Sequence, residues 1–126
     1  MYEVGVIAQF EAAHRLEGNF GPATRMHGHT YRLEAIVSGE RLQADGTLFD
    51  ITRLQEAVNA IVADLHYRDL GTVAGLENVN TTAENVARYC WDRIAAAIRG
   101  VGLMTLTVRI WENPQAFASY QSRLEG

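Results

Sequence analysis

The feature that most constrains this 126-residue chain is a switch in hydrophobic period, from two to helical and back to two. Residues 2–14, YEVGVIAQFEAAH, alternate, with Val4, Val6, Ala8, Phe10 and Ala12 on one side. Successive side chains of an extended chain point to opposite faces, so this stretch reads as a strand. A second alternation, from about residue 27 to 38, puts Tyr31, Leu33, Ala35 and Val37 on one face. The middle of the chain then changes period. Ile51, Leu54, Val58, Ile61, Val62 and Leu65 recur at helical spacing, behind Asp50 as an N-cap. Residues 80–98 predict a second helix, with Thr81 and Glu84 at capping-box spacing and Val86, Cys90, Ile94, Ala97 and Ile98 as its buried stripe. Alternation returns in residues 105–112, and Asn113-Pro114 marks a turn into a short last strand, residues 116–122. The order β-β-α-α-β-β predicts an α+β fold, two amphipathic helices covering one face of a four-stranded, largely antiparallel sheet. The other face is too mixed for a core and too apolar for ideal solvent surface, which suggests that further copies of the chain cover it.

Composition narrows the function classes. The length suits a single domain, residues 1–126, and 48% apolar against 21% charged residues is an ordinary globular balance. A formal net charge of −4 argues against nucleic acid or an anionic membrane as partner, because both need a basic face. Apolar runs are too short for a membrane span, and the N-terminal residues do not read as a signal peptide. One cysteine, Cys90, permits no intrachain disulfide, and the expected compartment is the cytoplasm.

The candidate chemistry lies in the histidines. His14 shares parity with Phe10 and Ala12 at the end of the first strand, and His27 and His29 share parity with Tyr31 and Leu33 at the start of the second. An antiparallel hairpin brings those two ends together, so three imidazoles are expected to converge. Three neutral imidazoles suit Zn²⁺ and leave a fourth tetrahedral position open, as catalytic sites do. Gly28 between the pair suggests a close backbone approach or an unusual φ. Glu112 follows Leu106, Val108 and Ile110 in parity, so its carboxylate ends an apolar face. It is either a solvated strand-end acid or an acceptor for paired N–H donors.

Five segments together, FEAAHRL (10–16), MHGHTY (26–31), FDITRL (49–54), NTTAENVARYCW (80–91) and RIWEN (109–113), resemble the 6-pyruvoyl-tetrahydropterin synthase family, which includes the 6-carboxy-tetrahydropterin synthases of queuosine biosynthesis. The resemblance spans almost the whole chain in the right order. It implies a T-fold (tunnelling fold) that oligomerises through its sheet into a homohexamer of two stacked trimers, with active sites between subunits. It also implies zinc on His14, His27 and His29, a small-molecule pterin substrate gripped by Glu112, and Thr81 and Thr82 beside the pterin ring.

Two departures accompany the resemblance. The family commonly carries a cysteine four residues before the first histidine of HGH, where this chain has Ala23. Cys90 sits on a helix stripe and reads as structural. The family's Asp-His pair falls in LHYRDL (65–70), where His66 replaces the aspartate and Tyr67 the histidine, or where His66 keeps the histidine role and Leu65 replaces the aspartate. His66, Tyr67 and Asp69 are the candidate substitute acids or bases, against the alternative of a polar loop. Three readings follow: a zinc-dependent synthase or lyase acting on dihydroneopterin triphosphate or a related pterin, with retro-aldol loss of the side chain as one form of it; a pterin-binding homologue without synthase activity; or a structural T-fold hexamer.

Overall fold

The computed structural model describes residues 1–100 and 102–124. Strands β1 (Tyr2–His14) and β2 (His27–Gly39) form a long antiparallel hairpin, in register from Tyr2–Gly39 to His14–His27. Helix α1 (Ile51–Leu65) follows, then a two-residue strand β3 (Arg68–Asp69), helix α2 (Ala83–Ala97), and strands β4 (Leu103–Asn113) and β5 (Ala116–Arg123). The sheet order is β3-β1-β2-β4-β5. The expected four strands are therefore five. The addition, β3, runs parallel to β1 at Ala12 and Ala13, and two residues are too few to leave a period in the sequence.

The predicted inward faces make the core. Phe10 and Tyr31 are cross-strand partners and stack with ring centroids 5.0 Å apart. Leu33, Ala35, Val37, Leu106, Val108 and Ile110 continue that buried face across β2 and β4. Helix α1 packs against β1 through Leu54, Val58, Ile61 and Leu65, while Ile51 at its first turn is exposed. Helix α2 packs against β4 and β5 through Val86, Ala87, Cys90 and Ile94, and the Trp91 indole N–H donates to the Leu106 carbonyl at 2.7 Å. Each fully buried Val, Leu or Ile among them contributes roughly 1.5–3 kcal/mol. Ala97, expected on the stripe, is exposed at the last turn.

Caps set where the helices start. Asp50 accepts from the Thr52 amide at 2.9 Å, as its position predicts. For α2 the predicted Thr81–Glu84 box is not formed: Thr82 is the N-cap, accepting from the Asn85 amide at 3.2 Å. Glu84 lies in the first turn, where a carboxylate favours the helix dipole. The consequence for the site is that α2 enters the fold at the same pole as the facing ends of β1 and β2, which carry the three histidines.

Candidate metal and substrate site

Antiparallel pairing places His14 directly opposite His27, and His29 lies two residues further along the same face of β2. Their ring centroids are 4.6 Å (His14–His27), 5.1 Å (His14–His29) and 4.9 Å (His27–His29) apart. One ring nitrogen from each can be chosen so that all lie within 4.8 Å of one another. The convergence expected from strand parity is thus present in the folded chain.

Backbone carbonyls decide which nitrogens face the centre. Nδ1 of His14 is 2.7 Å from the Thr81 carbonyl oxygen, and Nδ1 of His27 is 2.7 Å from that of Arg25. A carbonyl only accepts, so each Nδ1 carries the proton and donates, leaving the Nε2 lone pair free. Nε2 of His14 and Nε2 of His29 are buried without a hydrogen-bond partner. His14 is 1% exposed. Burial pushes its pKa below the ordinary histidine value, the Thr81 carbonyl opposes that shift, and His27 adds to it. Neutral imidazoles with inward lone pairs are what a divalent metal requires, and the orphaned nitrogens fit a cation at their centre.

Glu112 borders this cluster. Its Oε2 is 3.9 Å from Nε2 of His29, and its side chain is partly buried. It sits where the β4–β5 register shifts between Trp111 and Asn113. A shift of this kind bends a strand and re-aims a side chain, so Glu112 leaves the ladder at the site. Below the rings lies Tyr31, fully buried, its hydroxyl without a partner and its pKa raised by burial and then by the Glu112 carboxylate.

The remaining candidates are placed differently. Thr81 is buried and turns its carbonyl to His14, whereas Thr82 caps α2. His66 accepts from the Glu11 amide through Nδ1 at 3.0 Å, and the Tyr67 amide donates to the Glu11 carbonyl at 2.5 Å. Those two bonds dock β3 on β1. Tyr67 has φ of 60° and is 78% exposed, and its ring lies 3.8 Å from that of His66. Tyr67 and Asp69 line a cleft of about 470 Å³ with Glu11, Gly28, His29 and Thr30. Glu11, whose carboxylate accepts from the Thr30 hydroxyl, escaped the sequence reading because an outward acid on a strand looks like solvent surface. Asp69 also caps a single 3-10 turn by accepting from the Gly71 amide at 3.0 Å. A Cβ on Gly28 would meet only the Ala12 carbonyl oxygen, at an ordinary 3.6 Å, and its φ is not positive, so neither expected reason for that glycine holds within the chain. Cys90 is buried in α2, its thiol pKa pushed up to about 12 by desolvation, in keeping with a structural role.

Comparison with known proteins gives the family and the fold. The family model described as 6-pyruvoyl tetrahydropterin synthase matches residues 3–123. A 6-carboxy-5,6,7,8-tetrahydropterin synthase of Haemophilus influenzae is 26% identical over 143 residues, covering 96% of this chain and 99% of the relative. A dihydroneopterin monophosphate aldolase of Pyrococcus furiosus is 33% identical over 106 residues, 83% of this chain and 84% of the relative. The structure of Caenorhabditis elegans 6-pyruvoyl tetrahydropterin synthase superposes with a TM-score of 0.83 at 24% identity, over 96% of this chain and 95% of that one, which fixes the fold as the T-fold. From the matched model and these relatives, the chain belongs to the 6-pyruvoyl tetrahydropterin synthase family.

Proposed function

We propose that this protein is a zinc-dependent pterin side-chain lyase that acts on a dihydroneopterin phosphate. The observation that carries this reading is the convergence of His14, His27 and His29, with the Nε2 lone pairs of His14 and His27 left free by carbonyl-bound Nδ1 atoms, beside the Glu112 carboxylate. Zinc held there would supply Lewis-acid polarisation of the substrate's side-chain hydroxyls. Glu112 accepts from the 2-amino and N3–H edge of the pterin, a paired geometry that a carboxylate matches. Thr81 and Thr82 flank the ring. The acid/base work falls to His66, Tyr67 and Asp69. His66 keeps Nε2 available, because Nδ1 is already engaged by the Glu11 amide.

Of the reactions open to such a site, retro-aldol cleavage is favoured over triphosphate elimination. Ala23 stands where the family cysteine commonly moves protons, and one positioned acid/base typically contributes 10²–10⁴-fold. The P. furiosus relative named as an aldolase supports the same choice. In that step the bond between C1′ and C2′ breaks, the 2′-hydroxyl proton goes to a base, C2′ becomes an aldehyde, and C1′ takes up a proton. The products are 6-hydroxymethyl-dihydropterin and a phosphorylated glycolaldehyde. The alternative is pterin binding without catalysis. A homohexamer of two trimers, acting in the cytoplasm, completes the proposal.

Incubation of zinc-loaded protein with dihydroneopterin monophosphate and triphosphate, with products identified by mass, separates these readings. The aldehyde is expected. Release of inorganic triphosphate instead would establish the synthase reaction, and tight pterin binding with no product would leave the binding protein.

A further inference from the structure

Between the loop that follows β1 and the loop that leads into α2, one side chain makes both ends of a clasp. Asn80 Oδ1 accepts from the Glu17 amide at 2.9 Å, and Asn80 Nδ2 donates to the Glu17 carbonyl at 2.9 Å. The primary amide thus pairs with one backbone residue as a neighbouring strand would. Glu17 lies three residues after His14, and Asn80 immediately precedes Thr81, whose carbonyl accepts from His14 Nδ1. These three hydrogen bonds close a small ring of chain that includes the His14 imidazole. The ring is anchored at its far side too. The Asn80 carbonyl accepts from Asn85 Nδ2 and from the Thr82 amide, each at 2.8 Å, which ties it to the first turn of α2.

We infer that Asn80 is a positioning residue for the metal site, holding the Thr81 carbonyl where it fixes the proton of His14 on Nδ1 and turns Nε2 inward. The inference rests on the proposed metal reading. The physical reason is that a carbonyl held in one place selects one tautomer and one ring orientation, and partners of this kind typically alter metal affinity about 10–100-fold when lost. Asn80 thus links the two segments, its side chain bonding the backbone of Glu17 and its own carbonyl bonding the first turn of α2. Neither Thr81 nor His14 can be substituted to test the point without touching the site, whereas Asn80 reaches it only through the backbone.

The test uses the full chain. Zinc affinity is measured by competition with a chromophoric chelator, and the ring-nitrogen NMR signature of His14 is recorded in metal-free protein. Asn80→Ala is expected to weaken zinc binding about 10–100-fold and to erase the Nδ1-protonated signature, with far-UV circular dichroism unchanged. Asn80→Asp keeps the acceptor and loses the donor, and is expected to fall between wild type and Asn80→Ala. It also carries the comparison if the alanine variant does not fold. Glu17→Ala, which leaves the backbone partners in place, is expected to match wild type. Unchanged affinity and an unchanged His14 signature in both Asn80 variants would overturn the inference. A wild-type chain that takes up no zinc would sink the metal reading instead, and the His14 signature in the variants would still decide the role of Asn80.

Discussion

Glu112 leaves the β4–β5 ladder at a register shift, with its carboxylate 3.9 Å from a histidine that belongs to the triad. Strand parity in the sequence already put it on the inward face. The shift that frees it was not legible there, because nothing in RIWEN marks where pairing with β5 slips. Glu112→Gln preserves shape and replaces one acceptor oxygen by a donor that would face donors on the pterin edge. Charged hydrogen bonds of this kind contribute about 1.5–3 kcal/mol, so pterin binding is expected to weaken roughly 10- to 100-fold in a fluorescence titration. Wild-type affinity in that variant would remove Glu112 from recognition. The His14 ring yields a second prediction. Its folded pKa lies below the unfolded 6.5, so below that value the unfolded chain binds more protons than the folded one. The His14 contribution to the stability of metal-free protein is therefore fully present above about pH 6.5 and declines as pH falls towards the lower, folded value. Thermal denaturation at pH 7.5 and 5.5 with chelator present checks the sign. His14→Gln should flatten the dependence, and an equal slope in both proteins would refute this origin.

At the level of elements, what the sequence disclosed followed from period. Alternation over 2–14 and 27–38 and the stripes of α1 and α2 were long enough to average over single exceptions such as Ile51 and Ala97. Strand β3 was not legible, since Arg68 and Asp69 pair with β1 through bonds that no side-chain pattern encodes. Helix α2 starts one residue later than its capping-box spacing predicts, for a tertiary reason. Thr81 and Thr82 are equivalent as caps in isolation, but the Thr81 carbonyl is committed to His14, and the helix begins after it. The approach to β3 stores strain as well. Tyr67 occupies the left-handed region at φ 60°, where a side chain costs roughly 1–2 kcal/mol, while its phenol is exposed. Such strain is maintained at working sites more than elsewhere. Tyr67→Gly is accordingly expected to raise stability by up to about 1 kcal/mol in denaturant unfolding while lowering lyase turnover. Unchanged turnover would return Tyr67 to the status of a loop residue.

For the whole molecule, the unexplained surface is the sheet face opposite the helices, together with its edges. Ile7 is 61% exposed on that face, and Phe117 stacks against Trp111 there at 4.5 Å. Arg32 lies over the Trp111 ring at 4.4 Å and Arg109 over Phe117 at 5.7 Å, with Glu34 bonded to both arginines. β3 and the residues before it cover β1 only from Glu11 to Ala13, so β1 from Tyr2 to Phe10 has no second strand neighbour among the described residues, and neither has β5 on its outer side. Long unpaired edges invite another chain, and joining β1 of one copy to β5 of the next would satisfy both edges at once. A head-to-tail contact whose rotation closes generates a ring, the arrangement that the trimers of the proposed hexamer need. Ile7 is the residue with which to test this, because it lies on the open edge strand and faces Glu34 across the β1–β2 pair. A lysine at position 7 replaces a side chain that is exposed in the single chain, so the protomer itself should lose little, yet it sets a charge against whatever apolar surface covers Ile7 in the assembly. Wild-type protein is expected to sediment as a hexamer. Ile7→Lys should shift the population to smaller species with its circular dichroism intact, and zinc uptake per chain should persist, because the three histidines all come from one chain. A hexamer that survives the substitution unchanged would place the assembly surface elsewhere.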